Sequence, residues 1–258
     1  PFVKLKEPDG GKLTSCSLNI IVDEIKNYKF VDLLKMGLKI NLYIGIDYTS
    51  SNGDPNLKTS LHYINGLEPN PYERAIRNCG NIVGYYDDDQ KFPTFGFGGI
   101  PPGQHVVNFC FNVSFSNDYE IQGIDNVVKS YRESLTKVRL YGPTNFAPLI
   151  RTVNDYVKRE LSNNLWSYAI LMIITDGLIN DMDKTIDEIV EASYLPISLI
   201  IIGVGSADFF NMNILDADDA PLKSSNGKVQ ERDNVQFVEY SKYEGNYDKL
   251  AEEVLEEI

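Results

Sequence analysis

Two nearly continuous runs of branched apolar residues, Ser167–Thr175 (SYAILMIIT) and 198–204 (SLIIIGV), constrain the fold of this chain more than any other feature. A strand that is apolar on successive residues has no face to give to water, so both runs are expected to be central strands of a parallel sheet with helices on each side. Parallel neighbours need a long crossover between them, and residues 181–193 supply one as a helical stretch with Asp181 as its cap.

The same alternation extends along most of the chain. Lys39–Asp47 (KINLYIGID) reads as a strand, and after a polar loop Asn70-Pro71 reads as an N-cap followed by proline at the first helical position. Behind it Tyr72, Ala75, Ile76, Cys79, Val83 and Tyr86 recur at helical spacing, which predicts a buried stripe. Residues 91–98 and 105–109 are predicted to form two strands of a hairpin, with Gly and Pro between them. Two further amphipathic patterns cover 121–135 and 149–161, and a short strand over 235–239 precedes a closing helix that carries Leu250, Val254 and Leu255. Residues 23–258 are therefore expected to form one open, doubly wound α/β domain, its sheet mostly parallel with one antiparallel edge hairpin. Residues 1–22 break the alternation and read as the tail of a preceding module or a linker.

Composition narrows the function. With 24 basic and 37 acidic side chains the formal net charge is −13, which argues against a nucleic-acid partner. No apolar stretch reaches the roughly 18 residues that a membrane span needs. Cys16, Cys79 and Cys110 have no metal spacing and cannot all pair, so a reducing, cytoplasmic setting is expected. His62 and His105 fit neither a zinc nor a nucleophile pattern and read as structural. Asp87-Asp88-Asp89 and the cluster Asp216, Asp218 and Asp219 lack the spacing of a calcium loop and read as solvated turns.

In an open parallel sheet, ligands bind beyond the carboxyl ends of the strands. The first strand ends in Asp47-Tyr48-Thr49-Ser50-Ser51, and the run at 167 ends in Thr175-Asp176-Gly177. A third loop, Tyr141-Gly142-Pro143-Thr144-Asn145, lies just ahead of a helix. Asp47, Thr49, Ser51, Thr144 and Asp176 are all hard oxygen donors, and with one or two waters they would complete the six-coordinate shell of Mg²⁺ or Mn²⁺. Neutral hydroxyls as direct ligands leave such a cation partly unneutralised, so it would accept an external carboxylate. The rival reading is a magnesium-dependent phosphotransferase or phosphatase with Asp47 as nucleophile. Such an enzyme would want a second acid two residues on, where this chain has Thr49.

Asp47-x-Thr49-x-Ser51, Thr144 and Asp176 resemble the metal-ion-dependent adhesion site (MIDAS) of von Willebrand factor A domains. The longer strings GIDYTSSNGDP at 45–55, LHYI at 61–64, FPTFGFG at 92–98, LYGPTNF at 140–146 and LPIS at 195–198 resemble the copines. That resemblance implies two calcium-dependent lipid-binding modules ahead of this domain, with Ca²⁺ in those modules. It implies a non-enzymatic domain that recruits target proteins, through an acidic residue, to a membrane reached only by the upstream modules. The setting it implies is the cytoplasm, with recruitment by calcium to the plasma membrane. It also implies Ser51 and Thr49 as direct ligands, Thr144 as a ligand in the binding conformation, and Asp47 and Asp176 acting largely through water. Thr49 departs from the serine usual in the broader von Willebrand factor A family, and its β-branched side chain is stiffer at χ1.

Overall fold

The computed structural model describes residues 29–64, 66, 68–218 and 220–256. The expected tail at 1–22, Cys16 and Asp219 lie outside these described residues. In chain order the first half runs α1 (Phe30–Lys35), β1 (Lys39–Asp47), α2 (Pro71–Gly84), β2 (Lys91–Phe97), β3 (Gly99–Ile100), β4 (Phe111–Asn112), β5 (Glu120–Gln122) and α3 (Ile124–Leu135). The second half runs β6 (Arg139–Leu140), α4 (Ala147–Ser162), β7 (Ser167–Thr175), α5 (Met182–Ala192), β8 (Ile197–Gly203), α6 (Phe210–Asp216), β9 (Val235–Glu239) and α7 (Tyr247–Val254).

The main sheet has the order β4-β2-β1-β7-β8-β9. Every pairing from β2 to β9 is parallel, and β4 and β5 both add to β2 antiparallel. The class expected from the sequence, α/β with a mostly parallel sheet and one antiparallel edge, is the one observed. Both apolar runs are central, and each is buried along nearly its whole length because separate hydrophobic clusters cover the two faces. Ile44 and Met172 belong to one cluster, Tyr43 and Leu171 to the other, as strand alternation requires. Gly45 lets α4 approach β1 closely, since a Cβ there would meet Leu149 Cδ2 at 2.5 Å.

The start of α2 agrees closely with the sequence pattern. Asn70 Oδ1 accepts from the N–H of Glu73 at 2.9 Å and Glu73 Oε2 accepts from the N–H of Asn70 at 2.8 Å, a reciprocal cap ahead of Pro71.

Three expectations need correction. The edge partner of β2 is not 105–109: that stretch turns, touching β3 only through a Gly99–Asn108 bridge, and Phe111–Asn112 pairs instead. Asn108 Oδ1 accepts from the N–H of Cys110 at 2.9 Å, a local turn that competes with strand pairing. Asp87 is no solvated turn residue. β1 pairs with β2 only from Ile44 onward, and buried Asp87 Oδ2 accepts the Leu42 N–H at 3.0 Å. Asp216 likewise reaches the open edge of the sheet, its Oδ1 accepting from the N–H of Phe237 in β9 at 2.6 Å.

Burial, with Asp218, Asp233 and Glu253 nearby, pushes the Asp216 carboxyl up to about 7. A carboxyl whose folded-state pKa lies above its unfolded value binds its proton more tightly when folded, so stability falls as pH rises from about 4 to 7. Asp216→Asn keeps the acceptor without the charge. It should be more stable than wild type by about 1 kcal/mol at pH 8, after discounting for partial exposure, and unchanged near pH 4. Urea denaturation at the two pH values checks this, and a variant less stable at pH 8 would refute it.

Candidate metal centre

The order of the sheet reverses at β1, which lies between β2 and β7, so the carboxyl ends of β1 and β7 form the crevice where such sheets bind ligands. Asp47 ends β1 and Asp176 comes directly after β7, and register pairs Ile46 with Ile174 just before them. Both carboxylates are buried, Asp47 completely.

Asp47 is held from three directions. Its Oδ1 accepts from the Thr49 N–H at 2.8 Å and from Thr49 Oγ1 at 2.6 Å. Its Oδ2 accepts from Thr175 Oγ1 at 2.7 Å. Ser51 Oγ lies 2.9 Å from Thr49 Oγ1, so three of the five expected residues form one hydrogen-bonded group, with Ser51 at the exposed end. Asp176 joins them electrostatically: burial first, and then the Asp176 charge, raise the Asp47 carboxyl to about 7. Among the described residues neither carboxylate has a Lys, Arg or His ion-pair partner.

Thr144 is buried on the neighbouring loop, and its backbone is fixed rather than its hydroxyl. Its N–H donates to Asn180 Oδ1 at 2.7 Å, and its carbonyl accepts from the N–H of Asn180 at 2.8 Å. Asp181, expected to cap its own helix, caps the neighbouring one. Its carboxylate oxygens accept from the N–H groups of Phe146 and Ala147 at 3.0 Å each, and Oδ1 also accepts from Thr185 Oγ1 at 3.0 Å. The first amides of α4 are unpaired within the helix and lie at its positive end, which makes them good partners for a carboxylate. The loop after β7 thus locks the loop that bears Thr144.

Sequence reading missed the supports of Thr49. Asn52 Nδ2 donates to the Thr49 carbonyl at 3.2 Å and lies 3.4 Å from Thr49 Oγ1, while Tyr72 OH donates to Asn52 Oδ1 at 2.7 Å. Asn52 sits five residues after Asp47 and was within reach of a motif search; Tyr72, on α2, carried only the signal of an apolar stripe. His62 is structural as expected. It is fully buried, burial holds it down to about 3, and Nδ1 lies 2.7 Å from Tyr131 OH.

Gly98 explains how threonine fits at position 49. Its φ is +77°, and a Cβ built there would collide with Thr49 Cγ2, so the methyl group occupies space that a side chain at 98 would need. The donors fit a small divalent cation: two buried carboxylates without a counter-charge, beside hydroxyls already polarised toward one of them. Gly98→Ala should destabilise the fold through both its positive φ and this collision, whereas in a Thr49→Ser background only the backbone cost remains. Denaturation of the two single variants and the double variant should give a coupling of about 1 kcal/mol or more. Additive effects would show that the two side chains do not compete for this space.

The copine family profile matches residues 60–258 of this chain. Copine-A of Dictyostelium discoideum is 46% identical over 234 residues, which cover 90% of this chain and 39% of that protein. The chain therefore spans about two fifths of the length of this curated relative. Among solved structures, manganese-loaded Plasmodium vivax TRAP protein is similar with a TM-score of 0.47 and 15% identity, over 79% of this chain and 70% of that one. Proximal thread matrix protein 1 from the mussel byssus, with a zinc-occupied MIDAS motif, has a TM-score of 0.42 and 12% identity over 83% and 45% of the two chains. Both structural likenesses are too distant to carry an argument about the site. The match to the family profile over most of its length shows that this chain belongs to the copine family.

Proposed function

We propose that the carboxyl end of this sheet binds Mg²⁺ or Mn²⁺ and, through the ion, an acidic residue of a target protein. The observation that carries this reading is the buried Asp47 carboxylate beside Asp176, with no cation among the described residues to offset either. Removing a carboxylate from water costs several kcal/mol, and hydrogen bonds from Thr49 and Thr175 offset only part of that. A divalent ion would offset the rest.

Ser51, Thr49 and Thr144 would hold the ion, and Asp47 and Asp176 would act through water and through the hydroxyls they orient. The ion would supply Lewis acidity and charge at an open position, and a carboxylate is the natural ligand there. Thr49 Oγ1 donates its proton to Asp47 and so keeps lone pairs for a cation. We infer that the domain is not an enzyme. Both Asp47 oxygens already accept hydrogen bonds, Oδ1 two of them, which leaves a poor nucleophile for phosphoryl transfer.

Among the described residues no helix is long and apolar enough to cross a membrane. A net charge of −13 is repelled by acidic lipid. As the likeness to the copines implies, we propose that calcium-dependent docking at the cytoplasmic face of the plasma membrane belongs to lipid-binding modules of a longer protein, and that this domain's part is to hold the recruited target.

Calorimetric titration with Mn²⁺ should show one site in wild type and no heat in Asp47→Ala or Asp176→Ala, with circular dichroism unchanged. Capture of target proteins should be lost in both variants and with chelator. Thr144→Ala should weaken Mn²⁺ binding by less than about tenfold, or 1.4 kcal/mol, and capture by more. Capture that survives chelator and all three substitutions would leave the site a structural role at most.

A further inference from the structure

The segment after β1, which carries Ser51 of the metal centre, also walls a groove of about 980 Å³. One wall is the segment after β1: Ser50 and Gly53 line the groove on either side of the proposed ligand Ser51, and the Ser50 N–H donates to the carbonyl of Tyr141 at 2.6 Å. The other wall is the end of α3 with β6, and Leu140 of β6 lies four residues ahead of Thr144. Ile64, Leu135, Val138 and Leu140 give the groove an apolar lining. This volume is within the range of sites that enclose side chains or small ligands.

The rim is polar and mixed. Asp54 and Glu133 are exposed on it, and Arg132 is already paired with Glu73. Arg139 differs. Its guanidinium lies 5.6 Å from the ring centre of the half-exposed Tyr141, and it has no ion pair among the described residues. In a chain of net charge −13, an arginine with no ion pair among the described residues, on the rim of an apolar groove and close to where the chain bridges to Thr49 through Tyr141, complements an acidic partner.

We propose that this groove seats a large apolar side chain of the target protein, a few residues from the carboxylate held at the metal, while Arg139 pairs with acidic groups flanking it. The inference rests on the metal-dependent reading above and deepens it: the ion supplies the requirement for an acid, and the groove decides which acidic segments bind. Anchoring an apolar side chain in a desolvated pocket is where interfaces gain most of their affinity, and a carboxylate on a metal selects little beyond charge.

The test uses an array of short Gly/Ser peptides carrying one Asp alone, or one Asp with one Leu or Phe at varied spacing, probed with the whole chain in Mg²⁺. Peptides with both residues at the favoured spacing should bind about tenfold tighter than those with Asp alone. Thr136→Trp, which places an indole at the exposed lip of the groove, should erase that gain, and Arg139→Ala should reduce it for peptides with a second acid; Mn²⁺ calorimetry on each variant verifies the metal centre. The inference is overturned if the apolar residue adds nothing, if its gain survives Thr136→Trp, or if no peptide binds. It is also overturned if sedimentation shows that wild type self-associates and Thr136→Trp does not, since the occupant is then a second copy. Asp47→Ala separates the two readings: peptide binding that persists in Asp47→Ala defeats the metal reading, whereas binding lost there but indifferent to the apolar residue defeats the groove alone.

Discussion

Two carboxylates are forced together where β1 and β7 run parallel and end side by side. Asp47 is fully buried there, and Asp176 raises its pKa instead of relieving it. Taking both carboxylates out of water costs free energy, and the surroundings are arranged to bear it. Thr49 and Thr175 donate to Asp47, Asn52 and Tyr72 steady Thr49, and Gly98 leaves room for its methyl group. The site holds two carboxylates out of bulk solvent, with Asp47 against the hydroxyls of Thr49 and Thr175, an arrangement that a small cation would complete.

The strands around the site were legible because burial on both faces leaves a sequence little choice. Ser167–Thr175 reads as a central strand at any register, and once it is central its carboxyl end must be a crevice. The carboxyl ends of this strand and of Lys39–Asp47 point to Asp176 and Asp47. The edge was harder to read. Residues 105–109 carry the apolar content of a strand, but an asparagine turn at Asn108 competes with pairing and the partner of β2 falls at Phe111–Asn112. Position at an edge is set by what else is available to pair, which no local pattern records.

The supports of the site were illegible for a related reason. Asp181 has the place and chemistry of a cap for α5, yet it commits both oxygens to the first amides of α4. Asp87 looks like a surface turn and instead completes the hydrogen bonding of β1 where its pairing with β2 has not yet begun. Each is a contact between segments distant in sequence, made because an unpaired backbone amide was waiting across the fold. The departure at Thr49 is similar: beside Gly98 the β-branched residue is accommodated, and the stiffness of its χ1 holds the hydroxyl toward Asp47. Fixing the hydroxyls in this way would leave the choice of partner to the surface around the ion, where the segment bearing Ser51 also walls the apolar groove.

The decisive measurement is anomalous diffraction at the manganese edge from crystals of this chain grown with Mn²⁺. A metal-dependent site predicts a single strong peak among the side-chain oxygens of Ser51, Thr49 and Thr144, with protein oxygens about 2.0–2.3 Å away and the Asp47 carboxylate one water or one hydroxyl removed. A site empty at saturating Mn²⁺, or a peak elsewhere such as beside Asp216 and Asp233, would contradict it.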